Sequence, residues 1–440
     1  MQISQQDVVV IGGGISGTAL LYMLARYTDL KKIALLEKYS TLASVNSHGR
    51  NNSQTLHCGD IETNYSLEKA IQVKASAAMV ERYAAAHTEC ERLLYRYSKM
   101  VLGVGTQECE RLAERYELFK PHFNSLELFD EKAIGELEPN VIRGRQEQVL
   151  ALGVKNEYSA VNFQLLSQTL AADAQAVANK TVEVWLNTHV KQIVSKGAGF
   201  DVVTDQGVIN ARFVVVSAGG HSLLFAQRMG YGLEYACLPV AGSFYYTPNI
   251  LNGKVYTVQN DKLPFAAIHG DPDVLMPGKT RFGPTALMLP MLERYNYSTI
   301  FEFMQVFSLD GPVLAVMKDL FKVKDIRDYL FKNMLFEVPI LRRHLFLKDA
   351  RKVVPTLQLK DLTFAKRVGG IRPVMVDKIN RKLHMGEAKI DPGNGIIFNM
   401  TPSPGATSCL YNAEKDMRII AQQLGCSIDD VALNSDLRPA

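Results

Sequence analysis

Residues 8–17 read Val8-Val9-Val10-Ile11-Gly12-Gly13-Gly14-Ile15-Ser16-Gly17 and give the first view of the architecture. The four apolar, β-branched residues predict a strand buried on both faces, as in a parallel sheet covered by helices. The glycines satisfy GxGxxG and lead into a helical stretch at 18–26, which is the context that this motif needs. Gly12 suits a tight turn, Gly14 lets the backbone approach a pyrophosphate, and Gly17 allows close helix packing. We therefore predict a Rossmann-type unit that binds a dinucleotide at a helix N-terminus.

The next apolar run supports this prediction. Residues 32–36 predict a second strand that ends at Glu37, which is followed directly by Lys38. An acid at this distance from the motif accepts hydrogen bonds from the adenosine ribose. A glycine turn without a ligand is the alternative, but strand, helix and acid together favour dinucleotide binding.

The bulk composition limits the possible classes of protein. The chain has 440 residues, which predicts two interleaved domains if roughly 100 to 200 residues form one. Hydrophobic residues make up 47% and charged residues 21%, a balance typical of globular enzymes. The net charge of +4 is too weak to indicate nucleic-acid binding.

Cysteine usage and hydropathy indicate the compartment. Six cysteines are scattered without a CxxC pair, so we expect no metal site and a reducing, cytoplasmic interior. The predicted strand and turn at 7–14 leave no room for an export signal. No apolar run approaches the roughly 18 residues of a membrane-spanning helix, so we expect any membrane contact to be peripheral.

The loop that follows Glu37 carries a family resemblance. Gly49-Arg50-Asn51 with His57-Cys58-Gly59 resembles the L-2-hydroxyglutarate dehydrogenase group of the FAD-dependent D-amino-acid oxidase superfamily. Asn51-Asn52 with His57, followed by Asn64-Tyr65, resembles the malate:quinone oxidoreductases, although Arg50 stands where typical members have tryptophan. The resemblance implies a loop whose serines, asparagines and amides line the pyrophosphate and the flavin.

Later segments extend the resemblance along the chain. Residues 211–220 resemble the superfamily's second apolar strand and its glycine turn, and 369–373 and 403–408 resemble the segments that close over the flavin. The turn before the helical stretch 410–424 offers free amides and a positive helix end to the reduced flavin. A plain turn and helix cap is the alternative. The FAD contacts that follow from motif and resemblance are Gly12, Gly14, Ile15, Ser16, Gly17, Glu37, Lys38, Ser44, Ser47, Arg50, Asn51, Asn52, Ser53, Val190, Ala218, Gly219, Arg372, Gly405, Ala406, Thr407 and Ser408.

Oxidation of a secondary alcohol needs a base for the hydroxyl proton, and histidine suits that task. His57 and His269 are the two candidates, and the segment 263–271 around His269 resembles the hydroxyglutarate group. Each histidine has a structural alternative, and the sequence does not choose between them. Because arginine forks match carboxylates, Arg50, Arg281 and Arg372 are the candidate ligands for a dicarboxylate, with an exposed surface position as the alternative for Arg281.

A basic amphipathic region covers residues 313–354. Within 318–352 there are ten basic and five acidic residues, interleaved with aromatic and aliphatic side chains, and Pro339 is expected to divide two helices. Such helices lie on anionic membrane surfaces. The alternative is that the apolar residues face the protein's own core.

These observations predict an α/β protein, a Rossmann-type FAD-binding domain with an inserted mixed-sheet α+β substrate domain. The FAD-binding domain would comprise 1–75, 150–230 and 360–440, and the substrate domain 76–149 and 231–359.

The resemblance implies FAD-dependent oxidation of L-malate to oxaloacetate, a tricarboxylic acid cycle reaction, with electrons passing to a membrane quinone. The protein would then be cytoplasmic and peripheral on the inner face of the cytoplasmic membrane. Three alternatives stay open: oxidation of another 2-hydroxy acid such as L-2-hydroxyglutarate, oxidation of a small amine or amino acid, and a flavin-binding assembly protein without turnover.

Overall fold

The computed structural model describes residues 5–259, 268–307, 310–339, 341–384, 387–401 and 404–438. Its strands are β1 (Gln5–Ile11), β2 (Lys32–Leu36), β3 (Leu94–Val104), β4 (Glu127–Phe129), β5 (Val149–Val161), β6 (Thr181–Trp185), β7 (Val190–Lys196), β8 (Gly199–Thr204), β9 (Val208–Val216), β10 (Tyr235–Ala241), β11 (Tyr245–Pro248), β12 (Lys254–Thr257), β13 (His269–Pro272), β14 (Lys279–Gly283), β15 (Leu287–Met288), β16 (Thr363–Phe364), β17 (Ile371–Asp377), β18 (Lys382–His384), β19 (Ala388–Ile390) and β20 (Ile396–Met400).

The helices alternate with these strands in the first half and cluster between 299 and 350 in the second. They are α1 (Ile15–Tyr27), α2 (Leu67–Ala86), α3 (Cys90–Leu93), α4 (Thr106–Phe119), α5 (Glu131–Leu137), α6 (Pro139–Ile142), α7 (Phe163–Gln175), α8 (His221–Arg228), α9 (Thr299–Phe307), α10 (Gly311–Lys322), α11 (Lys324–Leu335), α12 (Arg342–Ala350), α13 (Cys409–Leu424) and α14 (Asp430–Leu437), with 3₁₀ turns at Gly49–Asn51 and Leu359–Asp361.

The first sheet is built around β1, which pairs in parallel with β2 and β9. The strand order is β19-β20-β9-β1-β2-β6. The β7–β8 hairpin joins this sheet through β8, which pairs with the N-terminal part of β9. Val8, Val9 and Val10 are fully buried, as their apolar run predicts. Each such valine contributes about 1.5–3 kcal/mol through burial.

Helices cover one face of this sheet, and the β7–β8 hairpin and α8 cover the other. On the helical face, α1 packs against α7 and α13, and Leu20, Leu166 and Met417 meet in one apolar core. On the other face, Val9 and Val214 pack with Phe225. The Rossmann-type unit predicted from residues 8–37 is therefore confirmed.

Two further sheets complete the fold. The larger has the order β16-β11-β14-β13-β12-β3-β5-β4 and is antiparallel except where β12 pairs with β3. The smaller has the order β15-β10-β17-β18 and is antiparallel throughout. Val313 and Val316 of α10 pack against Val374 and Val376 of the smaller sheet. Helices α11 and α12 lie on either side of Pro339, as predicted.

The α/β class with an inserted mixed sheet is confirmed by this arrangement. Strands from the start, middle and end of the chain share the first sheet, whereas the larger sheet draws on 94–161 and 245–364. Helix α2 crosses residue 75 and packs into the core of the first sheet. The domain boundaries given above stay a prediction.

Candidate functional site

A cavity of about 600 Å³ opens at the carboxyl ends of the parallel strands β1, β2, β9 and β20. This is where open α/β sheets bind ligands. Residues of the smaller sheet, including Val240, Ile371 and Arg372, form the opposite wall. The volume lies within the roughly 300–1,000 Å³ of small-molecule sites.

The glycine turn forms the floor of the cavity. Gly12 has φ +112°, and a side chain there would bring its Cβ within 2.5 Å of the Ser217 carbonyl oxygen. A Cβ on Gly17 would lie 2.0 Å from the Gly12 carbonyl oxygen, so α1 reaches the turn only with glycine at that position. The N-cap residue of α1 is Gly14, which has no side chain of its own to accept the amides of the first turn. The helix N-terminus therefore faces the cavity with a partial positive charge.

Glu37 lies at the end of β2 and lines the cavity. Its carboxylate accepts hydrogen bonds from the amides of Gly13 at 2.8 Å and Tyr39 at 2.9 Å. Burial raises the pKa of Glu37, and the two backbone hydrogen bonds oppose this increase. The acid is thus fixed beside the glycine turn, as the motif predicts.

The loop after Glu37 is held by its own polar side chains. Ser47 Oγ accepts the amide of Ile15 at 3.0 Å. Asn51 Nδ2 donates to the Val45 carbonyl at 2.8 Å, and Asn52 Nδ2 donates to the carbonyls of Asn46 and His48, each at 3.0 Å. The two asparagines therefore shape the loop as well as line the cavity.

The residues present fit a bound FAD. The hydroxyls of Ser44 and Ser217 are buried and have no hydrogen-bond partner in the described part of the chain, yet both side chains line the cavity. An unpaired buried hydroxyl is unfavourable unless a ligand or water completes it. The glycine turn, the N-terminus of α1 and the two unsatisfied hydroxyls together suit a pyrophosphate-containing ligand.

The turn at 404–408, which precedes α13, also contributes to the cavity wall, and we call it the C-terminal turn. Thr407 Oγ1 accepts the amide of His57 at 3.1 Å, and the Ser16 and Thr401 hydroxyls lie 2.9 Å apart. The turn passes directly into α13 at Cys409. Ser403 and residues 263–267 lie outside the described residues.

Most of the predicted FAD contacts meet in the cavity wall. Gly17, Arg50, Gly405 and Ser408 lie outside the lining, and the Arg50 side chain is exposed. The lining contains Gly12, Gly14, Ile15, Ser16, Glu37, Lys38, Ser44, Ser47, Asn51, Asn52, Ser53, Val190, Ala218, Gly219, Arg372, Ala406 and Thr407.

His57 lines the same cavity and forms a short pair with an acid. Its Nδ1 lies 2.7 Å from Oε1 of Glu62. Burial disfavours the charged form of Glu62, but the hydrogen bond and charge of His57 outweigh it, so the pKa of this carboxyl is lowered. The contact with Glu62 therefore holds the His57 ring through its Nδ1 atom.

Arg372 is largely buried and reaches the cavity from β17. No carboxylate lies within ion-pair distance of its guanidinium in the parts of the chain that the structure describes. Burial lowers the pKa of Arg372, and the nearby Tyr65, Tyr329 and Tyr256 oppose this decrease. A buried guanidinium without an acid partner is suited to receive an anionic ligand.

His269 lies on β13 and does not contribute to the cavity lining. Its ring stacks on Tyr256 with 4.4 Å between centroids, and its Nε2 is 4.0 Å from Asp271 Oδ2. The structure therefore does not bring the two candidate histidines together.

Arg281 is fully buried rather than exposed. Its Nη1 donates to the Gly49 carbonyl at 3.1 Å and lies 3.5 Å from Asp273 Oδ2, while Nη2 lies 3.9 Å from Asp271 Oδ2. The buried Lys254 ammonium is 3.5 Å from Asp271. This group links the larger sheet to the loop near Gly49, and Arg281 does not line the cavity.

The cavity wall also carries a polar group of which the sequence indicates only Lys38. Lys38 Nζ lies 2.5 Å from Glu293, and the Tyr39 hydroxyl donates to the same carboxylate. His221 Nε2 lies 2.9 Å from Glu302. Tyr39 and Glu293 are 254 positions apart, and His221 and Glu302 are 81 positions apart, so no local pattern could indicate these pairs. Within the described residues, no group of acids, histidines and cysteines is arranged to hold a metal ion.

Comparison with known proteins identifies the family. The profile of the FAD dependent oxidoreductase family matches residues 7–414. A probable malate:quinone oxidoreductase of Campylobacter jejuni is 47% identical over 99% of this chain and 100% of its own length. A malate:quinone oxidoreductase of Helicobacter pylori is 47% identical over 98% of both chains. The resemblance seen in the loop at 49–65 is confirmed.

Solved structures share the fold at low identity. An L-alpha-glycerophosphate oxidase of Mycoplasma pneumoniae, solved with FAD bound, superposes with a TM-score of 0.64 at 21% identity and covers 97% of this chain and 96% of its own. A glycine oxidase of Geobacillus kaustophilus gives 0.65 at 17% identity and covers 95% of each chain. The chain belongs to the FAD-dependent oxidoreductase family and, within it, to the malate:quinone oxidoreductases.

Proposed function

We propose that the protein oxidises L-malate to oxaloacetate and reduces a membrane quinone to quinol. This proposal rests on the observation that His57 and Arg372 open into one cavity. His57 is held by Glu62, and Arg372 has no acid partner among the described residues. A base and a carboxylate ligand on the walls of one cavity suit a 2-hydroxy acid. The relatives that are 47% identical to this chain are named malate:quinone oxidoreductases, the activity proposed here.

FAD, the cofactor of this family, would supply the acceptor for the hydride that leaves C2 of malate. The two electrons and one proton of that hydride, together with the hydroxyl proton taken by His57, make up the two electrons and two protons that reduce the quinone to quinol. The glycine turn, the N-terminus of α1 and the hydroxyls of Ser44 and Ser217 would hold its pyrophosphate. Glu37 would hold the adenosine ribose. These assignments rest on the cavity lining and the unsatisfied hydroxyls.

His57 takes the proton of the malate hydroxyl at Nε2 in this proposal. The C2–H bond breaks, its electron pair leaves with the hydrogen, and the C2–O bond becomes a carbonyl. A histidine suits this step because its ordinary pKa of about 6.5 lies near neutrality. Since Nδ1 is occupied by Glu62, Nε2 is the nitrogen available for substrate.

Arg372 binds a carboxylate of malate through its guanidinium fork. Paired hydrogen bonds of this kind fix the orientation of the substrate as well as its affinity. Arg281 does not take this role in the proposal, because Asp271 and Asp273 already neutralise it. The exposed Arg50 also stays outside the binding step.

The proposal is tested by anaerobic reduction of the purified flavoprotein. We expect L-malate to bleach the flavin absorbance, and a quinone analogue added afterwards to restore it. L-2-Hydroxyglutarate and glycine serve as the competing substrates. Faster bleaching by either of them would reassign the substrate, and an absence of bleaching by all three would overturn the proposal.

We further propose that α9, α10 and α11 contact an anionic membrane surface, from which quinone is drawn. Five apolar side chains on these helices are 54% to 74% exposed: Phe301, Met304, Leu314, Phe331 and Met334. Exposed basic side chains lie among them at Lys318, Lys322, Lys324, Arg327 and Lys332. We call these ten residues the α9–α11 patch.

The location of the patch supports this role. Val313 and Val316 of α10 pack on Val240 and Val374, and the latter two also line the cavity. One layer of sheet therefore separates the patch from the cavity. Basic and aromatic side chains on one surface are typical of helices that lie in the headgroup region. Among the described residues, no single helix has the length and apolar character needed to cross a membrane.

A further inference from the structure

We propose that Glu62 is the positioning residue of His57, holding the ring in the tautomer and orientation that leave Nε2 free to accept the substrate proton. This inference rests on the proposed function. Its basis is the 2.7 Å contact between His57 Nδ1 and Glu62 Oε1 at the wall of the cavity.

The contact fixes the tautomer because an ionised carboxylate can only accept hydrogen bonds. The pKa of Glu62 is lowered, so this carboxyl is ionised at neutral pH. Nδ1 must then carry the proton, and Nε2 presents a lone pair. A neutral partner that could donate to Nδ1 would favour the opposite tautomer, with Nε2 protonated and unable to act as a base.

Glu62 is itself held in place through its backbone. Arg115 Nη2 donates to the Glu62 carbonyl at 2.6 Å, and Nη1 donates to the Tyr65 carbonyl at 3.1 Å. The guanidinium lies over the Phe119 ring at 3.8 Å. The segment that carries Glu62 is thus anchored to α4, and the carboxylate meets the imidazole from a fixed position.

Charged and titratable groups surround the His57–Glu62 pair. Asp60 and Glu157 lie 2.9 Å and 2.5 Å from the buried Lys99 ammonium. With Glu62 they make three carboxylates, against the two cations Lys99 and Arg115. Tyr65 and Tyr256 also act on Glu62, and burial raises the pKa of both phenols, which keeps them neutral. An imidazolium formed when His57 accepts the hydroxyl proton would lie beside the Glu62 carboxylate.

A purely structural carboxylate would affect stability and flavin content rather than proton transfer. We expect Glu62→Gln to lower kcat for L-malate by about 100-fold, the lower end of the roughly 10²–10⁴-fold supplied by a general base. KM should change little, because Glu62 does not touch substrate. The acidic limb of kcat/KM against pH should also move, since a neutral amide replaces the carboxylate beside the imidazole.

The experiment measures stopped-flow flavin reduction by L-malate from acidic to alkaline pH in the holoenzyme. Asp173→Asn is the matched control, because Asp173 also faces a histidine, His87, at 3.9 Å but lies outside the cavity lining. Its rate and pH profile should equal those of the wild type. Wild-type kcat and an unmoved acidic limb in Glu62→Gln would overturn the proposal.

Two further variants keep the test decisive. In a His57→Ala background, Glu62→Gln should cause no additional loss of rate, whereas a further large loss would show that Glu62 acts elsewhere and overturn the proposal. If Glu62→Gln loses its flavin, Glu62→Asp replaces it, and a shorter side chain should lower kcat. A Glu62→Asp enzyme with wild-type rate and limb would also overturn it. Bleaching of the wild type by L-malate in the same series tests the proposed function separately.

Discussion

The hydroxyl of Thr407 accepts a hydrogen bond from the amide of His57 at 3.1 Å, although 350 positions separate the two residues. Thr407 is buried in the turn before α13, and His57 ends the loop that follows β2. The C-terminal turn therefore holds the proposed base in its place. The position of His57 depends on Glu62 through its ring and on Thr407 through its backbone.

Thr407→Val keeps the shape of the side chain but removes this acceptor. We expect the free energy of unfolding to fall by about 1 kcal/mol and malate-dependent flavin reduction to slow several-fold, because the loop is held less firmly. Thermal unfolding and stopped-flow reduction measure the two effects. Thr407→Ser retains the hydroxyl and should resemble the wild type. Equal rates in the valine and serine variants would contradict the prediction.

Gly12→Ala should abolish FAD binding. The added Cβ would meet the Ser217 carbonyl oxygen at 2.5 Å in a backbone conformation with φ +112°, so the turn must shift away from Ser217. Flavin absorbance per mole of purified protein is the measurement. Gly105→Ala is the control, because Gly105 also has a positive φ of +81° but no atom within 4 Å of its added Cβ. It should cost about 1–2 kcal/mol of stability and keep its flavin.

Arg372→Lys should raise KM for L-malate by about 100-fold while the protein keeps its FAD. The ammonium preserves the charge but loses the paired fork, and two charge-assisted hydrogen bonds contribute about 3 kcal/mol together. Steady-state kinetics with a quinone analogue provide KM. Arg145→Lys serves as the control, because Arg145 bonds the carbonyls of Val141, Lys352 and Val353 outside the cavity. A similar KM increase in both variants would argue against substrate binding by Arg372.

Glu138 should make stability depend on pH. Burial raises its pKa from the ordinary 4.5 to about 7, although the carboxylate accepts the amides of Asn252 and Gly253. The folded state thus keeps the proton to higher pH than the unfolded chain. This contribution is fully present below pH 4.5 and is lost as the pH rises through about 7, a change of about 3 kcal/mol.

Denaturant unfolding of the holoprotein between pH 4.5 and 8 measures this slope. Glu138→Gln cannot titrate, so its stability should fall less steeply over the interval than that of the wild type. Parallel curves for the two proteins would refute the assignment.

Phe331→Glu should weaken binding to anionic vesicles. It places a negative charge in the α9–α11 patch, where Phe331 is 62% exposed, and removes an aromatic side chain that would insert among headgroups. Co-sedimentation with vesicles of phosphatidylserine and phosphatidylcholine measures the effect. Val431→Glu makes the same change in charge at an 82% exposed position on α14 and should bind normally. Equal loss in both variants would point to net charge rather than to the patch.

The sequence predicts the nucleotide-binding unit well because its determinants are local. The strand, the glycine turn, the helix and Glu37 lie within the first 37 residues, and each has a physical requirement that only certain residues meet. The family assignment made from the loop is confirmed over almost the whole chain. The roles of individual side chains toward substrate depend on contacts between distant parts of the chain.

Arg281 and His269 show why the roles of side chains toward substrate are not evident from the sequence. The register of the β13–β14 pair places Asp271 opposite Arg281. Asp271 therefore pairs with an arginine that the sequence alone suggests as a ligand for the substrate carboxylate. His269 stacks on Tyr256 of β12 for the same reason. Glu62 follows His57 by five positions in an irregular segment, so no helical or strand periodicity indicates their pairing. Such contacts arise from tertiary structure alone.

The parallel pairing of β20 with β9 has a consequence for synthesis of the protein. Ile396 to Phe398 complete one edge of the first sheet beside Val214 to Val216, and Thr407 reaches His57 only a few residues later. A nascent chain still held by the ribosome at this point lacks a wall of the flavin pocket. We therefore expect cofactor uptake to follow synthesis of these residues, and a chain truncated before Ile396 should remain colourless.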